Sequence, residues 1–329
     1  MIFKCKNCGG NSIYSPEQGS MFCPHCDSKE SHERTMEECD KQLCPNCGGE
    51  IQVGEHTSAL KCGYCDHYII LNDRVEGEYS PRKLIPFKYG KDKVKELMRE
   101  KFKKATFAPT DFLSEVMLDT MEGDYVPYWM VDYDVNCDYQ AEGIKVRHWT
   151  SGDYEYTETS YYEVVRNIDV DYQNIPVDAS VKMPDEVMDL LEPYDYSAMV
   201  EFSPEYMSGF NGEKYNMPYS DVDFRAKDKM YNSADSIVRQ SVSGYSRMTV
   251  MHKIFNINRE AHAYDLLPVW KYTYNYGDKS YPFYVNGQTG KIVGKVPVSK
   301  KKVFVYGGTL FVLLNVIMTS IVAIASFMI

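Results

Sequence analysis

The sequence predicts an α+β protein: two tandem cysteine-rich modules, a largely antiparallel β-sheet middle domain with helices, and one apolar C-terminal helix. Three observations predict it. Nine of the ten cysteines fall in residues 5–65, and eight of them repeat one spacing. Over residues 80–300, strand-like alternation is interrupted by helices without regular βαβ order. Residues 303–329 are 27 in a row without Lys, Arg, Asp or Glu.

Composition sets the outer limits. In 329 residues, a hydrophobic share of 44% and a charged share of 25% exclude a mainly disordered chain. A mean hydropathy of −0.43 excludes a multi-span membrane protein. A net charge of −11 argues against a partner held through phosphates.

In the head, Cys5 and Cys8 are followed after fourteen residues by Cys23 and Cys26, and Cys44 and Cys47 after the same interval by Cys62 and Cys65. The second set is the first displaced by 39 positions, and Cys5-Lys-Asn-Cys-Gly-Gly is echoed by Cys44-Pro-Asn-Cys-Gly-Gly. Each Cys-x-x-Cys forms a knuckle that aims two thiolates at one point; two knuckles complete a tetrahedral four-thiolate zinc shell. The spacing thus predicts two zinc ribbons, over 1–33 and 40–71, holding two structural Zn²⁺. The metal supplies folding energy that ~30 residues with few apolar side chains lack. Gly9 and Gly48 give the backbone the freedom a knuckle needs after its second cysteine. Four thiolates close the shell, so the sites read as structural and not catalytic.

His25 and His67 read as exposed or neighbouring side chains, not ligands. Cys39 and Cys137 are left over, Cys137 as a buried thiol on an alternating strand. Paired cysteines, and an N-terminus without an apolar h-region, put the head in a reducing cytosol. Residues 1–80 carry seven Lys/Arg against thirteen Asp/Glu, so the ribbons read as structural or protein-binding and nucleic acid is disfavoured.

The acidic stretch Asn72–Glu78 marks the boundary to the middle domain. From Lys88 to Ala105, Val94, Leu97, Met98, Phe102 and Ala105 recur at helical spacing in a run that is basic by five. That run reads as a solvated helix face, with anionic lipid headgroups as the sharper alternative. In Tyr125–Tyr139, Trp129, Val131, Tyr133, Val135, Cys137 and Tyr139 share one strand face, and Asp132, Asp134, Asn136 and Asp138 the other. Tyr154–Arg166, Leu267–Tyr274, Ser280–Val285 and Lys291–Val296 also read as strands, with Gly-Asp and Asn-Gly-Gln-Thr-Gly turns. Pro184–Leu191 and Asp221–Val242 read as helices. Val126-Pro-Tyr-Trp-Met-Val-Asp-Tyr133 and Leu267-Pro-Val-Trp-Lys-Tyr-Thr-Tyr274 echo one another, as two related sheet units would or as coincidence could.

In the apolar tail, 27 helical residues reach ~40 Å, more than the ~30 Å hydrocarbon core. Lys300, Lys301 and Lys302, with Lys295, flank it on the N-terminal side, and positive flanks stay cytoplasmic. The chain therefore reads as tail-anchored in the cell membrane, single-pass, with its N-terminal bulk in the cytoplasm. Asn315 near mid-span could bond a neighbouring helix, favouring oligomers, or its own backbone.

No phosphate loop, dinucleotide fingerprint, zincin motif or nucleophile elbow is present, and the chain does not read as an enzyme. The pairs Asp132/Asp134, Asp169/Asp171 and Asp221/Asp223 could hold a hard cation, but fit water-facing strand edges and a helix start equally well.

With the ribbons, Ile85-Pro-Phe, Phe107-Ala-Pro, Tyr125-Val-Pro-Tyr-Trp, Val285-Asn-Gly-Gln-Thr-Gly-Lys-Ile-Val-Gly and the final apolar helix in view, the chain resembles the bacterial, YdjG-like family of TFIIB-type zinc-ribbon single-pass membrane proteins. The resemblance implies membrane recruitment, with flotillin-like (SPFH) or phage-shock-type proteins as partners. Labels implying a primosomal helicase, which such proteins inherit through their ribbons, find no phosphate-binding loop here. The expected function is a tail-anchored membrane adaptor or scaffold that binds partner proteins at the inner surface. A membrane-tethered nucleic-acid-binding regulator is the alternative, and a cation-dependent enzyme a more distant one.

Overall fold

The computed structural model describes residues 1–29, 32–35 and 43–327. The head contributes β1 (Ile2–Cys5), β2 (Ile13–Ser15), β3 (Ser20–Phe22), β4 (His32–Thr35), β5 (Thr57–Lys61) and β6 (Tyr68–Ile70). The body follows with β7 (Lys83–Leu84), α1 (Lys91–Phe102), α2 (Glu115–Leu118), β8 (Glu122–Ser151), β9 (Tyr154–Asp178) and α3 (Asp185–Leu191). Then come β10 (Val200–Glu201), β11 (Asn211–Glu213), α4 (Tyr219–Ser241), β12 (Arg247–Tyr276), β13 (Lys279–Asn286), β14 (Ile292–Gly294) and α5 (Lys300–Phe327).

One ten-stranded, largely antiparallel sheet organises the body, with the path β10-β7-β12-β8-β11-β5-β6 and with β9 and β13 branching from β8 and β12. The sheet runs across residues 72–78: β11 pairs with β5 of the second cysteine module on one side and with β8 on the other. Met1, Phe3, Tyr14 and Met21 of the first module are buried in the body's largest apolar cluster, with Phe87, Phe112 and Trp270.

Period-2 patterning explains β8. Tyr133, Val135, Cys137, Tyr139 and Ala141 are buried under α4, whose Val222, Ala226, Met230, Ala234 and Val238 recur at helical spacing. The β9 strand runs twelve residues past the expected Arg166, because its Asn/Asp-rich end is carried by pairing with β8 as far as Tyr128↔Asp178. Beyond Ile144, where β12 begins, β8 and β9 continue as a two-stranded arm. Its two-residue turn places Gly152 at φ 61°, a conformation that favours glycine.

The echo noted in the sequence is an architectural repeat within one sheet. Val126 and Leu267 face each other on the adjacent antiparallel strands β8 and β12. Each strand forms a hairpin through a Gly-Asp turn (Gly152-Asp153 and Gly277-Asp278) whose return strand ends against the echo's proline: Ala179 N–H donates to Pro127 O, and Gly287 N–H to Pro268 O, both at 2.9 Å. A helix precedes each hairpin, and the helices are exchanged. Helix α1 buries Val94 and Met98 on the β12–β13 side with Tyr272 and Phe283, whereas α4 covers β8–β9. The two tryptophans lock the exchange. Trp129 Nε1–H donates to Met217 O, just before the Pro218 that opens α4, at 2.9 Å; Trp270 Nε1–H donates to Tyr89 O, just before the Gly90 that opens α1, at 3.0 Å.

The basic run over 88–104 is not uniformly solvated. Lys95 is 6% exposed and paired with Glu115 and Asp119, and Arg99 pairs with Glu115. Lys93 pairs with Glu96, while Lys91 and Lys101 donate to the backbone oxygens of Asp119 and Ile292.

Candidate metal centres

Four copies of one backbone turn build the two centres. In each, the first cysteine's N–H donates to the oxygen five residues on, and its own oxygen accepts from the N–H four residues on. Cys5 uses Gly10 and Gly9, Cys23 uses Ser28 and Asp27, Cys44 uses Gly49 and Gly48, and Cys62 uses His67 and Asp66, at 2.8–3.1 Å. The residue after each second cysteine is left-handed: Gly9 at φ 72°, Asp27 at 59°, Gly48 at 70° and Asp66 at 59°. Glycine adopts that conformation freely and aspartate tolerates it.

The turns bring the sulfurs together. In each group, Cys5/Cys8/Cys23/Cys26 and Cys44/Cys47/Cys62/Cys65, all four ligand atoms lie within 4.8 Å of one another. Cys5 and Cys26 are 3.6 Å apart, Cys8 and Cys23 3.6 Å, Cys44 and Cys65 3.7 Å, and Cys47 and Cys62 3.8 Å. A tetrahedron of thiolates ~2.3 Å from one zinc ion has edges of about 3.8 Å, so each group has the size and donor set for such an ion. Space is reserved around it: a Cβ on Gly10 would meet Cys8 Sγ at 3.3 Å, and one on Gly49 would meet the Tyr64 ring at 2.6 Å. Donors reach the sulfurs, among them Asn7 Nδ2 to Cys26 at 3.6 Å and Tyr64 N–H to Cys62 at 3.5 Å. Both groups can hold a metal ion.

Helix α5 is long and apolar enough to cross a membrane over Lys300–Ile321, and none of that stretch is buried in the protein. Set beside these features, the whole chain has a relative. It is 36% identical over 326 residues to the uncharacterized protein YdjG of Bacillus subtilis (strain 168), which covers 94% of this chain and 96% of that one. The chain belongs to the YdjG family. No family model matches it, and no solved structure does.

Other candidate residues of this YdjG-family chain fall into place around the cages. His25 is exposed. His67 is buried beside the second cage, its Nδ1 3.3 Å from Cys65 O and from Asn46 Nδ2. Cys137 is a buried free thiol, its pKa raised by burial. Cys39 lies outside the described residues.

Five of the six Asp-x-Asp carboxylates have protein partners. Asp132 accepts the Asn174 N–H, Asp169 the Asn136 amide and Asp171 the Gln173 amide. Asp221 accepts the Ser220 hydroxyl, and Asp223 accepts from Tyr219 and pairs with Lys227. Among the described residues, the two cysteine groups are the metal-competent clusters. Asn315 Nδ2 donates to Phe311 O at 2.8 Å, the local of its two expected partners.

Sequence reasoning missed Asp27 and Asp66. Each stands directly after the second cysteine of a knuckle, the position Gly9 and Gly48 hold in the others, so aligning the four knuckles would have found them.

Proposed function

We propose that this chain is a membrane-anchored adaptor: two structural zinc ribbons and an α+β body, held at the inner membrane surface, bind partner proteins there. The observation that carries the reading is the four-thiolate donor set of both cages. It leaves no position for water or substrate, so the ion acts by holding the knuckles folded. Zinc suits the set, since tetrahedral thiolate sites belong to zinc or iron–sulfur chemistry and each cage has the dimensions of a single ion.

Anchoring is supported by α5. Phe304, Phe311 and Met318 are 84%, 69% and 63% exposed, a surface that water does not favour and a bilayer does. The lysines before it favour a cytoplasmic body. Protein binding is supported by the arm. It exposes Tyr154 at its tip and Tyr161 at its base, and Trp149 stacks on Tyr156 with ring centroids 5.5 Å apart. Rigid aromatic side chains of this kind anchor protein interfaces. The flotillin-like and phage-shock-type proteins implied by the family resemblance are the first candidates.

Three measurements on the full chain test the parts. Elemental analysis should return two zinc equivalents per chain; far fewer would remove the ribbons. Carbonate washing should leave the protein with the membrane, and release into the supernatant would remove the anchor. A photocrosslinker replacing Tyr154 or Tyr161 in cells should capture a polypeptide of discrete mass, less so with Trp149→Ala. No adduct from either position would remove the adaptor.

A further inference from the structure

We propose that the junction between residues 103–110 and the start of α5 binds the headgroup of an anionic phospholipid. The inference rests on the membrane anchoring proposed above. The loop after α1 is fastened to the start of α5 at two points, both through Phe107, and the helix start is itself capped. Ser299 N–H donates to Phe107 O at 2.7 Å. Ser299 Oγ in turn accepts the Lys302 N–H at 3.4 Å, capping the helix that begins there. The Phe107 ring meets Tyr306 edge-on, with centroids 5.5 Å apart. Between loop and helix lies a cavity of about 430 Å³, whose lining includes Thr106, Phe107, Thr110, Lys301, Lys302 and Tyr306.

Charge gives this cavity its ligand. Lys103 and Lys104 stand three and two residues before its Thr106 edge, and Lys300 adjoins Lys301 and Lys302 on the other side. Among the described residues none of these five lysines takes part in an ion pair, whereas Lys93, Lys95 and Arg99 of α1 all do. Five cations adjoin this junction along a chain of net charge −11, and an anion seated there would offset their mutual repulsion. Geometry makes that anion a lipid. The cavity wall formed by Val305, Tyr306 and Thr309 runs on into the exposed apolar surface of Leu310, Leu313 and Leu314. A ligand with a phosphate at one end and acyl chains at the other matches both parts, and free phosphate matches only the first. Folding thus brings the end of the basic run, which the sequence left without an address, to the level where the anchor would enter the headgroups.

The test uses full-length protein in phosphatidylcholine bilayers and compares spin-labelled phosphatidylglycerol with spin-labelled phosphatidylcholine in the motionally restricted shell. The expected preference for phosphatidylglycerol is at least about fivefold, the factor for one basic residue near a membrane surface. Lys301→Gln with Lys302→Gln, and separately Lys103→Gln with Lys104→Gln, should each lower it severalfold, and these four changes together with Lys300→Gln should bring it to unity. Lys145→Gln with Lys279→Gln, the same charge change elsewhere, should leave it intact. Equal association of both lipids with the wild type, or a preference that survives all five changes, overturns the inference while leaving the anchor standing. A protein that enters no bilayer and restricts no lipid overturns the anchor instead. Loss of the preference on adding millimolar inorganic phosphate at constant ionic strength would assign the cavity to free phosphate and overturn the lipid.

Discussion

At the scale of single residues, the knuckles turn on four backbone conformations. Forcing a side chain into the left-handed region costs roughly 1–2 kcal/mol, and aspartate softens the cost by local hydrogen bonding. Gly48→Ala should therefore weaken metal retention in the second cage several-fold, and Asp66→Gly should leave it equal or tighter; competition with a chromophoric chelator reads both. A second residue sets a pH dependence. Asp178 is fully buried, and burial lifts its carboxyl to about 6 even though the Arg225 guanidinium sits at 2.8 Å. Its folded pKa lies above the unfolded value of ~3.9, so the native state holds the proton more tightly and this group's contribution falls as pH rises through ~4 to 6. Asp178→Asn removes that slope. Wild type should lose on the order of 1–3 kcal/mol relative to the variant across that window, read by denaturant titration at several pH values. A difference that stays flat would show Arg225 to hold the carboxylate ionised.

At the scale of elements, the two cages are joined to the body unequally. β5 ends at Lys61, one residue before Cys62, and hydrogen-bonds through β11 to the main sheet; β2 and β3, which lead to Cys23, form a sheet of their own. Cys62→Ser should open the amides of β5 and β11 to hydrogen exchange, whereas Cys23→Ser should leave them protected. Equal loss from both variants would mean that the first cage carries the sheet as well. The same elements show what a sequence discloses. Strand β8 was legible because Tyr133, Val135, Cys137 and Tyr139 alternate with Asp and Asn, and a period of two needs no tertiary information. The second half of β9 was not, because its Asn/Asp-rich residues have low strand propensity and are held by pairing with β8. The basic run was visible as charge, but which of its residues are bound within the fold depends on Glu115, Asp119 and Ile292, 16 to 191 residues away along the chain. The two four-cysteine groups were legible because their knuckles are local, whereas Asp27 and Asp66 in the same turns were missed.

At the scale of the whole molecule, the exchange of helices decides how the chain can fold. Neither hairpin unit has its own cover: the face of β8–β9 is closed by α4, which arrives later in the chain, and the face of β12–β13 by α1, which arrived earlier. Trp129 and Trp270 each spend their indole N–H on the loop that starts the other unit's helix, and each such bond contributes about 1 kcal/mol. A half-molecule would therefore expose Val131, Tyr133 and Val135, or Tyr272, Tyr274 and Phe283, with nothing to bury them. Cutting the chain after Val181, in an exposed loop, separates the units without touching either sheet core. Residues 1–181 and 182–329 should each lack near-ultraviolet dichroism and a cooperative melt when made alone in detergent, and should recover both when produced together. Trp129→Phe or Trp270→Phe should weaken that reassociation by roughly fivefold or more, the factor one such hydrogen bond implies. Were either half to melt cooperatively by itself, the two units would be independent folds lying side by side and the interlock no more than contact.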